Sequence, residues 1–174
     1  IWQAESAANT IVSPRILVYT RPDLGTNRTP DEIRIGVRQA KLDGADGLKI
    51  GGLDRDQLEA LLSEAHIQGL RTAAHIGVEE TTAADYIELG VGSIEHLFGI
   101  GEVAIEGVQD FPADMNYSDE THRFVHAGNL FAQADPDGLR TVVESMVTHD
   151  VGWSPTLSIY EASRDVVRAQ NLPW

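Results

Sequence analysis

Three short apolar runs in this 174-residue chain end in side chains that can hold or transfer charge: Lys49 in DGLKIGG, His75 in RTAAHIG and His96 in GSIEHLFG. Imidazole is the commonest nitrogen ligand for zinc, and two imidazoles from neighbouring strands can share one ion. Lysine is the odd member of the set. As an ammonium it repels a cation, and it ligates only after its amine becomes an anionic group. The chain has two lysines, Lys41 and Lys49, and the apolar setting of Lys49 favours the neutral amine, the form that reacts with carbon dioxide to give a carbamate. The same amine would also serve as an electrostatic substrate anchor or a Schiff-base nucleophile. There is no cysteine, which excludes thiolate metal sites, cysteine nucleophiles and disulfides.

Other candidates carry less. His122 and His126, in THRFVHAG, stand four apart on one helix face, but without the glutamate of a His-Glu-x-x-His motif they are expected at the surface. His66 falls on a helix and His149 at a helix end, and neither is assigned chemistry. Trp153, Thr156 and Tyr160, in WSPTLSIY, stand where a strand ends, and by position Trp153 and Tyr160 would wall a substrate pocket.

The elements that must position these residues alternate. RILVYT (Arg15 to Thr20) reads as a buried strand between Pro14 and Pro22. A helix follows, with Thr29 as N-cap, Pro30 in its first turn, Ile33, Val37 and Ala40 inward and Gly44 at its end. A strand at Gly47 to Ile50 and a helix capped by Asp54, with Leu58, Leu61, Leu62 and Ala65 inward, repeat the unit. LRTAAHIG (strand), TTAADYIELG (helix) and VGSIEHLFG (strand) continue it. The segment from Gly99 to Asp135 holds no clean periodicity except a short helix around Asp119 to Ala127. It reads as an insertion at about 100–135 that either covers the strand ends or packs on the outside. Asp135 and Pro136 then open a helix carrying Leu139, Val142, Val143, Met146 and Val147. VGWSPTLSIY follows as a strand with Pro155 marking a kink or an end, and EASRDVVRAQNLPW reads as helical. Such alternation is the pattern of βαβ units on a parallel sheet.

Lys49, His75 and His96 are separated by 26 and 21 residues. One unit of a (β/α)8 barrel, with roughly 250 residues over eight repeats, takes about that length. All three side chains are therefore expected at the C-terminal ends of the strands, the face where such barrels build their active sites.

The stretches GADGLKI, EAHIQGLRTAAHIG and LGVGSIEHLFGI together resemble the amidohydrolase superfamily of metal-dependent hydrolases, in particular its imidazolonepropionase-like and dipeptidase-like branch. The resemblance implies an incomplete barrel domain over residues 1–174, with parallel strands three to seven and outer helices. Lys49 would be the carboxylated lysine bridging two metal ions, most simply zinc, with His75 and His96 as ligands of the second ion. The implied activity is hydrolysis of a carbon–nitrogen bond in an amide, cyclic amide or dipeptide by metal-activated hydroxide. The His-x-His pair of the family's first strand and the aspartate of its last are absent from this sequence. The expected form is therefore a fragment, or a chain whose remaining barrel strands come from elsewhere, such as a homo-oligomer partner. Two other readings stand beside it: an open, doubly wound α/β module that binds a ligand or regulates, and a barrel remnant without catalysis.

Composition narrows the partners. With 27 acidic residues against 13 Lys plus Arg, the formal net charge of −14 argues against nucleic acid and anionic membrane surfaces; the resemblance implies a small-molecule amide or peptide substrate as the partner. No run approaches the roughly 20 apolar residues that span a bilayer, and IWQAESAANT lacks the pattern of a signal peptide, so a soluble protein is expected.

Overall fold

The computed structural model describes residues 1–22, 28–76, 81–106, 113–116 and 119–164. In chain order these form α1 (Trp2–Ala7), β1 (Tyr19–Thr20), α2 (Pro30–Leu42), β2 (Gly47–Ile50), α3 (Arg55–Ile67), β3 (Arg71–Ala74), α4 (Ala83–Glu88), β4 (Ser93–Glu95), α5 (Ile100–Val103), α6 (Glu120–Gln133), α7 (Pro136–Thr148), β5 (Gly152–Ser154) and α8 (Leu157–Arg164). The five strands make one all-parallel sheet in the order β1-β2-β3-β4-β5, so each crossover leads to the adjacent strand and the order never reverses.

Strand alternation sorts the side chains into two faces. Leu48, Ile50, Ala74 and Ile94 are fully buried. They pack with Ile33 and Val37 of α2, Leu58 and Leu61 of α3, and Tyr86 and Ile87 of α4. The register pairs Lys49 with Ala73 and Ala73 with Ser93, which puts small or polar residues on the other face. Helix α2 starts where a capping box holds it: Thr29 Oγ1 accepts from the Glu32 N–H, and the Glu32 carboxylate accepts from the Thr29 N–H. Arg38 donates two bonds to the Glu64 carboxylate, at 2.9 and 2.8 Å, and so ties α2 to α3.

Three expectations about the elements are corrected. RILVYT is not a buried strand over its length, since only Tyr19 and Thr20 join the ladder and Leu17 and Val18 are 44% and 39% exposed. Val18 is taken up by Asp46, whose carboxylate accepts its N–H at 2.8 Å and whose own N–H donates to the Val18 carbonyl at 2.9 Å. VGWSPTLSIY is strand only through Ser154, because Pro155 supplies no N–H to a ladder, and a helix begins at Leu157. The helical reading of the final stretch holds through Arg164, and 165–174 lie outside the described residues. In the insertion, α6 runs to Gln133, with buried Phe124, Ala127 and Leu130 at helical spacing.

Among the described residues no helix is long and apolar enough to cross a membrane.

Candidate functional site

Lys49, His75 and His96 occupy the C-terminal ends of three adjacent strands. His75 and His96 stand just past β3 and β4, and each extends the ladder by one bond: His75 N–H donates to the Ile50 carbonyl and His96 N–H to the Ser154 carbonyl, both at 2.8 Å. Parallel pairing thereby brings the two imidazoles together, with ring centroids 4.7 Å apart and ring planes at 66°. Lys49 lies within β2, its Nζ 3.9 Å from Glu95 Oε2. Burial lowers the Lys49 pKa, and the Glu95 carboxylate opposes that shift without reversing it.

Aromatic rings close round the histidines. Phe98 stacks on His75 at 4.9 Å, and Phe124 of α6 lies 5.2 Å from His96 and 6.5 Å from His75. The insertion thus reaches the strand ends through α6. It can approach closely because Gly101 of α5 meets the backbone of α6, where a Cβ would stand 2.7 Å from the Phe131 nitrogen. Burial is the main reason the His75 pKa falls from 6.5 to about 4, and the nearby charges of His96, Arg123, Lys49 and Arg21 push it the same way. His75 is therefore a neutral imidazole at physiological pH. Its Nε2 is buried and has no hydrogen-bond partner among the described residues.

His96 is held from β5 and the turn after it. Trp153 Nε1 donates to the His96 carbonyl at 2.6 Å, and the Thr156 hydroxyl is hydrogen-bonded to His96 Nδ1. Trp153 is half-buried with Phe131 6.0 Å away, so the expected pocket-wall residue contacts the backbone of a site histidine. Tyr160 falls on α8, and its side chain is outside the described residues. His122 is exposed and accepts from the Asn116 N–H through Nδ1, whereas His126 is 8% exposed and not at the surface, because α6 turns that position inward with Ala127 and Leu130.

Two nearby groups were not singled out from the sequence. Glu95 sits inside the GSIEH motif, and only the strand register shows that it faces Lys49. Arg123 places its guanidinium carbon 6.0 Å from the Phe98 ring centroid, and its Nε is buried without a hydrogen-bond partner among the described residues. A cation next to a phenylalanine in a strongly acidic chain was the available signal.

Among the described residues no three His, Asp or Glu side chains gather into a metal-binding group. The metal that the resemblance implies would be held by Lys49, His75 and His96. Those residues fit such an ion in two respects. The buried Nε2 of His75 lacks a hydrogen-bond partner among the described residues, and its ring is kept in the neutral form that ligates. Two imidazoles sharing zinc at about 2 Å per Zn–N bond would hold their centroids roughly 5 Å apart, close to the separation found.

No protein-family model matches the chain, and no curated protein does. Among solved structures, an uncharacterized protein known from a crystal structure is similar at 16% identity over 88% of this chain, with a TM-score of 0.44. The chain spans 50% of that protein's length. What fold and site define together is an α/β protein with a sequential parallel sheet and paired histidines at its strand ends.

Proposed function

We propose that this chain is part of a metal-dependent amidohydrolase that cleaves carbon–nitrogen bonds, its sheet an arc of a (β/α)8 barrel corresponding to strands three to seven. The observation that carries the reading is the Nε2 of His75, buried and without a hydrogen-bond partner among the described residues, beside His96 on adjacent strand ends, with Lys49 on the next strand. Strand order supports the barrel over the doubly wound alternative, since a doubly wound sheet binds its ligand where the order reverses and here it runs straight from β1 to β5.

Lys49, as its carbamate, would hold metal with His75 and His96, and two zinc ions per complete site follow from the resemblance. A divalent ion there supplies a water acidified toward neutral pH and polarises the scissile carbonyl. The chain's own residues supply the surroundings. Phe98 and Phe124 exclude bulk water, and burial keeps the His75 ring neutral. Arg123, whose Nε has no hydrogen-bond partner among the described residues, would offer positive charge to a substrate carboxylate, which favours a dipeptide or acyl amino acid over a neutral amide.

The experiment is zinc uptake measured by native mass spectrometry for the protein and for Lys49→Ala. Loss of metal, and of a carbon dioxide adduct, in the variant is expected; unchanged metal content would sink the carboxylated-lysine assignment. The Lys49–Glu95 pair favours a second reading, in which the neutral amine of Lys49 forms a Schiff base and Glu95 moves the proton. Borohydride trapping of a carbonyl compound on Lys49 would select that reading.

A further inference from the structure

Acidic side chains drawn toward the interior are not all treated alike. Glu64 of α3, 3% exposed, takes two bonds from the Arg38 guanidinium and one from Gln68 Nε2. Glu102 of α5 has no such cation: its Oε2 is buried and has no hydrogen-bond partner among the described residues. Burial raises its pKa above the ordinary 4.5, and the backbone N–H groups of Glu102 itself and of Gly99 oppose that shift without reversing it.

Glu102 stands in the first turn of the insertion, where α5 packs against α4, α6 and α7. The packing is close on two sides. Gly101 meets the α6 backbone at Phe131, while on α7 a Cβ at Gly138 would stand 3.2 Å from Ala104, whose carbonyl accepts the Asp135 N–H at 2.9 Å. Ionising Glu102 in this setting leaves a charged oxygen with neither donor nor water, a penalty relieved when α5 and α6 part and solvent reaches it.

We propose that Glu102 is a pH-sensitive latch between α5 and α6: protonated, it holds the insertion against the strand ends, and ionised, it loosens α6 and with it the Phe124 cover over His75 and His96. The latch does not depend on a metal at those histidines. Because the packed carboxyl titrates above the open one, it is fully engaged below pH 4.5 and weakens as pH rises, until the packed form is itself ionised. No neighbouring charge takes over this role, since among the described residues none is ion-paired with Glu102. Asp85 and Glu88 of α4 pair with Arg55, Asp135 caps α7 at the Gly138 N–H, and Asp137 pairs with Arg140. On α6, Arg123 lies at Phe98, His122 is exposed, and His126 is buried with its pKa lowered.

Amide hydrogen exchange followed by NMR from about pH 4 to about pH 8, corrected for intrinsic rates, reads the opening of α6. Protection at Leu130 to Gln133 should fall by up to about tenfold per pH unit above 4.5 and then level off. In Glu102→Gln, which cannot ionise, that fall should be absent, and α6 should be better protected than in the unaltered protein at pH 7. Amides of α2 and α3 should not respond. His75 and His126 are present in both proteins, so their own titrations cancel. The Glu102 carboxyl carbon should titrate with a midpoint above 4.5. Parallel pH profiles for the two proteins, a midpoint at 4.5, or an equal loss of protection in α2 and α3 overturns the proposal.

Discussion

The depressed pKa of His75 makes stability depend on pH in a calculable way. Its imidazole titrates near 4 in the folded chain, against 6.5 when exposed. Between those values the unfolded chain holds a proton that the native ring refuses, so stability is fully present above pH 6.5 and falls as pH drops toward 4. The full difference corresponds to about 3.4 kcal/mol at 1.36 kcal/mol per pH unit. Because the ring is only partly buried, solvent screening reduces this to roughly 1–2 kcal/mol. Urea unfolding at pH 7 and pH 4.5 measures it, with a chelator present so that no cation competes for the ring. His75→Gln, which cannot titrate, should lose that much less stability over the same interval. His126, also shifted down by burial, is present in both proteins and cancels in the comparison. A His75 midpoint near 6.5 in an NMR titration, or identical pH slopes for the two proteins, would refute the reasoning.

Phe124→Ala should admit water to the histidines and move the His75 midpoint up toward 6.5 by NMR, and it should cost about 3–5 kcal/mol in urea unfolding because the side chain is buried. Gly101→Ala drives a methyl into the α6 backbone at Phe131 and should destabilise the protein by about 1–3 kcal/mol. Proteolysis within α6 should quicken in the same variant, and an unaltered melting temperature together with unaltered cleavage would contradict the close α5–α6 approach.

The strand-end placement of Lys49, His75 and His96 was legible because each apolar run is short and stops at a turn, and parallel βαβ units deliver such ends to one side. The Lys49–Glu95 contact was not legible, since it follows from the register of three strands and no local pattern encodes register. RILVYT has strand composition, but propensity needs a partner to act on, and at the sheet edge Asp46 takes the hydrogen bonds that a ladder would have used. Gly128 and Asn129 are poor helix formers that hide the second half of α6, whose packing through Phe131 overrides them. The inward turn of His126 depended on which side of α6 is covered, and the sequence around it is equally compatible with either.

The ladder pairing Lys49 with Ala73 and Ala73 with Ser93 ties core and site into one inherited trait. A slip of β3 by a single residue would turn Ala74 out of the apolar interior and, in the same movement, carry His75 to the opposite face. Substitutions that tempt the sheet toward another alignment are then eliminated as folding failures before any loss of chemistry is exposed to selection. The helices and loops beyond the strand ends carry no such double penalty. Sequence divergence should accumulate there, while the spacing of the two imidazoles is preserved by the same backbone bonds that keep the chain folded.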